Sequence, residues 1–332
     1  MKTIRWGMIG CGDVAEVKSG PGFYKARNST LIAVMRRNGE LAADYARRHN
    51  VPRWHDDADA IIGADDIDAV YIATRPDSHR DYVLRAAASG KAVYVEKPMG
   101  MNHAECLEMI EASRRHGVPL FVAYYRRAMP YFLKVRELIE EGTIGPVRMV
   151  ITRHFARLPP RDALAEGRLP WRVDPAHGSG GFFFEAVCHN FDMLDFLFGP
   201  VVRVSGLAAN KARAYPPEDT VAAHYVFASG VHGCGAWCFA TDRDDEVNEV
   251  IGADSTLTFH PFSFRPISVT RGAVARTYPV ETLPHVQQPL IQSIVDELNG
   301  VGRCPSTGET AARTAAVIDE ILAEYKASRA PV

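Results

Sequence analysis

Ile4-Arg-Trp-Gly-Met-Ile-Gly-Cys-Gly-Asp-Val-Ala15 is a short apolar strand that runs straight into a GxGxxA turn. Gly10 permits the tight turn. Gly12 lets the backbone N–H groups at Gly12, Asp13 and Val14 approach a pyrophosphate, and Ala15 is small enough for close helix–strand packing. Alone, the pattern describes many ordinary strand–helix turns. The downstream residues make it informative: Leu31 to Met35, Ala69 to Ala73, Ala92 to Val95 and Pro119 to Ala123 read as further strands. Helical apolar spacing lies between them at Glu40 to His49, Asp77 to Ser89 and Asn102 to His116. Alternation with short connections is the pattern of a doubly wound parallel sheet. Gly20-Pro-Gly22 is expected to end the first helix early and to leave a loop near the bound nucleotide.

The second strand ends Val34-Met-Arg-Arg-Asn38, with no carboxylate. NAD usually calls for an acidic residue about 20 positions after the glycines, to hold the ribose 2′-hydroxyl. Arg36 and Arg37 can instead pair with a 2′-phosphate through the guanidinium fork, which favours NADP(H), with NAD(H) as the alternative. Two solvated surface arginines are the bland reading.

Val93-Tyr-Val-Glu-Lys-Pro-Met99 carries the chemistry. Ligands of open α/β sheets bind at the carboxyl ends of the strands, so Lys97 stands where a nicotinamide is expected. An ammonium there hydrogen-bonds a substrate hydroxyl or holds a carbonyl oxygen as hydride arrives. A lysine before a proline is otherwise a solvated strand end.

After about residue 123 the alternation stops. Pro130 to Glu141 reads as a helix closed by Gly142, Val147 to Phe155 as a strand, and 156–180 as a loop rich in Arg, Pro and Gly. Phe182 to Phe198 is helical, and short strands fill Val201 to Tyr278. Strands without interleaved helices imply an α+β domain with a large open, mainly antiparallel sheet. The expected division is 1–123 and 124–332. Helices at Gln288 to Leu298 and Glu309 to Ala327 end the chain, and the last is free to pack back on the first domain.

Within Gly178-Ser-Gly-Gly-Phe-Phe-Phe-Glu-Ala-Val-Cys-His-Asn-Phe-Asp192, Glu185 and His189 are spaced i,i+4 and share a helical face. A carboxylate beside an imidazole orients it and raises its pKa, giving a proton donor and acceptor near neutrality. A surface ion pair is the ordinary alternative. Phe182 to Phe184 read as a core-facing stretch.

The 332 residues are 47% apolar and 23% charged, with a formal net charge of −2. That balance describes a soluble globular protein and gives no electrostatic reason to expect nucleic acid or an acidic membrane. The start runs directly into a strand, without a signal-peptide stretch, and no segment is apolar for long enough to span a bilayer. Six scattered cysteines read as reduced thiols of a cytoplasmic protein. The sequence has no HExxH, no paired CxxC and no serine in a GxSxG turn, so neither metal chemistry nor a nucleophilic triad is supported.

Taken together, the motifs resemble the glucose–fructose oxidoreductase/inositol dehydrogenase/MocA family along nearly the whole chain. The pieces are Gly10 to Ala15, Ala73-Thr-Arg-Pro-Asp-Ser-His79, Glu96-Lys97-Pro98, Trp171-Arg172, and the glycines leading to Glu185, His189 and Asp192. Within the family the chain looks most like the branch of 1,5-anhydro-D-fructose reductases and related sugar dehydrogenases. The resemblance implies an N-terminal Rossmann domain and a C-terminal open sheet whose face often forms a dimer. It implies Lys97 and His189 at the reacting carbon, with residue 185 supporting the histidine. It also places Thr74, Arg75, Pro76, His79, Glu96, Trp171 and Arg172 with the cofactor. Two positions depart from the family: Glu185 stands where aspartate is usual, and Arg75 where proline or asparagine is commoner.

The expected activity is hydride transfer between NADP(H) and a secondary alcohol or ketone of a sugar or cyclic polyol, a small-molecule substrate. Tyr124, Arg126, His154, Arg157, Arg161 and Arg168 are candidates for substrate hydrogen bonds, and a homo-oligomer is expected. Competing readings are a redox-neutral NAD-dependent glycoside hydrolase, a non-catalytic dinucleotide-sensing regulator, and a reductase of flatter, dihydrodiol-like substrates.

Overall fold

The computed structural model describes residues 1–164, 169–174, 177 and 181–329, leaving Arg168 and the glycines at 178 and 180 outside the described residues. The side chain of Arg161 is likewise outside the description. By its own contacts the chain falls into two units, Met1–Met129 with Leu283–Ala312, and Pro130–Thr282 with the segment from Arg313 onward. The first unit thus runs on to Met129 rather than 123 and takes back residues 283–312, with the helix Gln288–Leu298, while most of the last helix, from Arg313 onward, belongs to the second unit.

The first unit is built from β1 (Ile4–Ile9), α1 (Asp13–Val17), α2 (Gly20–Lys25), β2 (Ser29–Met35), α3 (Gly39–Arg48), β3 (Arg53–His55), α4 (Asp59–Ile62), β4 (Ala69–Ile72), α5 (His79–Ala88), β5 (Ala92–Val95), α6 (His103–Arg115) and β6 (Leu120–Val122). Its six strands are all parallel, in the order β3-β2-β1-β4-β5-β6. Such a sheet is covered on both faces, which is why β4 and β5 are apolar throughout and every residue in them is buried. Asn38 and Asn102 start α3 and α6 by accepting the backbone N–H of Leu41 and Glu105.

The expected loop at Gly20-Pro-Gly22 is instead α2. Pro21 sits in its first turn, where a fixed φ favours the helix and the missing N–H costs nothing. The flanking glycines serve packing: a Cβ on Gly20 would lie 2.2 Å from Ala15 O and Tyr45 Oη, and one on Gly22 2.6 Å from Ile291 Cδ1. The edge strand β3 is a further departure from the sequence reading, since its Arg-Trp-His sequence carries no apolar run.

The second unit contains α7 (Pro130–Glu140), β7 (Val147–Arg157), α8 (Gly181–Phe198), β8 (Val201–Ala209), β9 (Thr220–Phe227), β10 (His232–Thr241), β11 (Asp245–Gly252), β12 (Thr256–Phe259), β13 (Ile267–Arg271) and β14 (Val274–Tyr278). Among the described residues its eight strands run in the order β14-β13-β12-β11-β7-β10-β9-β8. All neighbours are antiparallel except β7 and β10. The chain closes with α9 (Gln288–Leu298) and α10 (Gly308–Arg329). Asp195 on α8 takes both Nε and Nη2 of Arg313 on α10 at 2.7 Å, a bidentate pair with the carboxylate buried. No helix among the described residues is long and apolar enough to cross a membrane.

Glu218, just before β9, is 3% exposed, and its Oε1 has no hydrogen-bond partner among the described residues. Burial lifts its pKa from the usual 4.5 to about 8. A carboxyl whose folded pKa is raised favours folding fully below the unfolded value, and that contribution is lost as pH rises through the folded one. Stability is therefore expected to fall between pH 4.5 and about 8, by at most about 1.4 kcal/mol per pH unit from this group. Glu218→Gln should flatten that slope in denaturant titrations at about pH 5 and about pH 8; parallel slopes for the two proteins would contradict it. Gly20→Ala is expected to cost about 1–3 kcal/mol by overpacking, read as a lower denaturation midpoint.

Candidate functional site

In the first unit the carboxyl ends of β1, β4 and β5 lie side by side. The backbone ladder runs one residue past each strand: Ala73 N–H donates to Ile9 O at 2.8 Å and Glu96 N–H to Ile72 O at 2.8 Å. Three loops therefore emerge together, carrying Gly10 to Val14, Ala73 to His79 and Glu96 to Pro98. Gly10 has φ +96°, and a Cβ there would meet the Ala73 backbone at 2.9 Å, so the turn requires glycine. Gly12 is the N-cap of α1, and a Cβ on it would meet no atom within 4 Å. This is open space beside backbone N–H groups, and it fits a dinucleotide pyrophosphate.

At the end of β2, Arg36 is half-buried and Arg37 exposed, and neither has an ion-pair partner among the described residues. Burial pushes the Cys11 thiol up to about 11, and the first opposing influence is the positive charge of Arg36, which therefore lies close to the glycine turn.

The Ala73–His79 loop is tightly tied. Ser78 Oγ donates to Thr74 Oγ1 at 2.8 Å and lies 2.9 Å from Arg75 O, Pro76 is buried, and Arg75 pairs with Asp77 at 3.6 Å. His79 is fully buried. Its Nε2 lies 3.0 Å from Thr74 O, and its Nδ1 3.0 Å from Pro98 O and 3.2 Å from Met99 O. Burial pulls its pKa below the usual imidazole value, against those carbonyls and the charge of Glu96. The ring staples the loop after β4 to the loop after β5.

Glu96 is 6% exposed. Its Oε1 accepts from Tyr71 Oη at 2.7 Å and Gln287 Nε2 at 2.6 Å, and its Oε2 accepts the Lys97 N–H at 3.1 Å. Lys97 is half-buried, and its bond to Pro98 is cis. Tyr124 and Arg126 are 2% and 3% exposed, and Arg126 lies over the Tyr125 ring at 5.2 Å.

In the second unit, α8 carries Glu185 and His189 one turn apart. The helix is fixed next to His189 by a buried triangle: Asn190 Nδ2 to Thr152 Oγ1 at 3.4 Å, Thr152 Oγ1 to Asn248 Oδ1 at 2.6 Å, and Asn248 Nδ2 to Asn190 Oδ1 at 3.0 Å. The Glu185 carboxylate lies 3.5 Å from Arg172 Nε, whose guanidinium stacks on Trp171 at 4.6 Å. His189 is 6% exposed, with its ring 6.4 Å from Phe262. His154 lies 4.7 Å from Phe262 and 5.3 Å from Phe239. Of the loop arginines, Arg157 is exposed and bonds Asp242 O.

Sequence reading missed Gln287, Tyr71 and Tyr94, and the Asn190–Thr152–Asn248 triangle. No local signal marks any of them: the tyrosines read as core, and Gln287 lies 191 residues from the carboxylate it holds.

Residues 4–124 match the model of an oxidoreductase family with an NAD-binding Rossmann fold, and residues 132–258 match a GFO/IDH/MocA C-terminal domain. Oxidoreductase P35 of Formosa agariphila is 37% identical over 95% of this chain and 97% of its own length. A 1,5-anhydro-D-fructose reductase from Ensifer adhaerens is 29% identical over 76% of this chain and 74% of its own. The crystal structure of an aldose–aldose oxidoreductase from Caulobacter crescentus superposes with a TM-score of 0.85 at 22% identity, covering 99% of each chain, and so shares the fold. With the glycine turn, the lysine-bearing strand end and both domains matched in order, this chain belongs to the GFO/IDH/MocA family of oxidoreductases.

Proposed function

We propose that the protein is an NADP(H)-dependent oxidoreductase that interconverts a secondary alcohol and a ketone on a sugar or cyclic polyol, with 1,5-anhydro-D-fructose as the first candidate. The observation that carries the reading is Lys97, the residue after a buried carboxylate at the end of β5, on the loop tied by His79 to the loop after β4.

The nicotinamide, when bound, supplies or accepts the hydride. Gly10, Gly12, Asp13 and Val14 present backbone to the pyrophosphate. Arg36 and Arg37 take the 2′-phosphate, with Thr74, Arg75 and Pro76 lining the ribose side. Lys97 hydrogen-bonds the substrate oxygen and offsets negative charge gathering there during reduction. His189 gives the proton to that oxygen in reduction and takes it in oxidation, and Glu185 favours its charged form. Arg172, paired with Glu185, links the cofactor-side segment to this carboxylate. His154, partly buried, is the further substrate contact we favour over Tyr124 and Arg126, which are 2% and 3% exposed. We place the enzyme in the cytoplasm as a homo-oligomer joined through the open sheet, where Leu207 is 70% exposed.

The decisive experiment monitors reduced-nicotinamide absorbance with a panel of keto-sugars, including 1,5-anhydrofructose, and of cyclic polyols, each with NADP(H) and NAD(H). Turnover favouring NADPH is expected. Silence with a nucleotide co-purifying would favour the redox-neutral glycoside hydrolase, and silence with freely exchanging nucleotide the regulator. Lys97→Met should lower kcat by at least about 100-fold while NADPH affinity changes little; an active variant would remove Lys97 from the chemistry. Arg36→Asp should weaken NADPH more than NADH, and equal losses would contradict the 2′-phosphate assignment.

A further inference from the structure

Gln287 is 1% exposed and stands at the N-cap of α9. Its backbone N–H donates to Lys18 O, directly after α1, and its own carbonyl receives Ile291 N–H. The side chain is therefore aimed by two helices. Its Nε2 donates to Glu96 Oε1 at 2.6 Å, and Tyr94 Oη donates to its Oε1 at 2.7 Å. The direction of this chain of bonds is forced. A carboxylate only accepts, so the amide must turn its NH2 toward Glu96; its oxygen then faces Tyr94, which must donate. Tyr71 supplies the second donor to the same Glu96 oxygen, and the Tyr71 and Tyr94 rings stack at 4.9 Å. Both phenols are fully buried, and burial raises their pKa well above the ordinary value, so both keep the proton they donate.

The other Glu96 oxygen accepts the N–H of Lys97. Side-chain rotation at Glu96 is thus locked at one oxygen by Tyr71 and Gln287, and the second oxygen clasps the backbone from which the Lys97 side chain departs. A neutral amide suits this place better than a cation. It stabilises the buried carboxylate without cancelling its charge one residue from the ammonium.

We propose that Gln287 is a positioning residue for Lys97, acting through Glu96, so that it sets the placement of the ammonium and bears on turnover rather than on cofactor affinity. The inference rests on the role given to Lys97 above, and its test includes a readout that needs no turnover. Gln287→Met keeps the volume and removes both hydrogen bonds. Tyr94→Phe removes only the hydroxyl that orients the amide, and remains informative if the first variant folds poorly.

For each, three quantities are compared with the wild type: NADPH affinity, kcat and KM for the substrate found in the panel, and the pH midpoint of Lys97 acylation by an N-hydroxysuccinimide ester, located by peptide mass spectrometry. The expected result is a kcat lower by about 10- to 100-fold for Gln287→Met, a smaller loss for Tyr94→Phe, NADPH affinity within about twofold, and a displaced Lys97 midpoint. An unchanged kcat and midpoint in both variants would overturn the proposal. So would parallel losses of kcat and NADPH affinity with an unmoved Lys97 midpoint, which describe a structural role only. If Lys97→Met stays active, the catalytic reading fails, while the acylation midpoint still decides whether Gln287 positions Lys97.

Discussion

Parallel strands can be joined only by crossovers, and a sheet made wholly of them presents all its carboxyl ends at one edge. In the first unit this constraint alone assembles most of a site. Ile9, Ile72 and Val95 end adjacent strands in register, and the ladder extends one residue past each into Gly10, Ala73 and Glu96. Three loops far apart in sequence are brought together before any side chain is considered. What the side chains add is precision.

That precision is concentrated on one carboxylate. Taking an ion out of water costs several kcal/mol, and a hydrogen bond to a charged group returns about 1.5–3 kcal/mol net. Glu96 is therefore tolerable in the core only with all of its donors in place: Tyr71 from β4, the Lys97 backbone, and Gln287 from the far end of the unit. The same donors that offset the cost of burial fix the residue before Lys97. Stability and site geometry are coupled here by one set of bonds, and the return of residues 283–312 to the first unit is what makes the set complete.

The Rossmann half was legible because its signals are local: a glycine turn with a required positive φ at Gly10, and apolar runs separated by amphipathic helices. The place of Lys97 just after β5, and of Glu185 and His189 one turn apart on α8, was legible for the same reason. Two local errors have physical causes. Gly20 and Gly22 looked like chain breakers, yet they are glycine because Tyr45, Ala15 and Ile291 leave no room for a Cβ. Strand β3 pairs only with β2 at the sheet edge and so needs no apolar run. Gln287 was illegible for a different reason: polar satisfaction of a buried group is a tertiary property, and nothing near residue 287 reports the carboxylate it serves.

The second unit positions its imidazole by other means. Lys97 extends from a loop, and the hydrogen bonds next to it are those of its neighbour Glu96. His189 sits within an 18-residue helix, where rotation about the helix axis is a rigid-body property. Two anchors set that rotation: the buried Asn190–Thr152–Asn248 triangle against the sheet, and the buried carboxylate of Asp195 held by the exposed Arg313 on α10. Glu185 shares the histidine's face, so the same anchors carry it toward Arg172. By contrast, the Arg172–Glu185 pair is part-exposed at 3.5 Å, and such pairs contribute little to stability. What the pair does show is that the Glu185 side chain reaches the segment that carries Trp171 and Arg172.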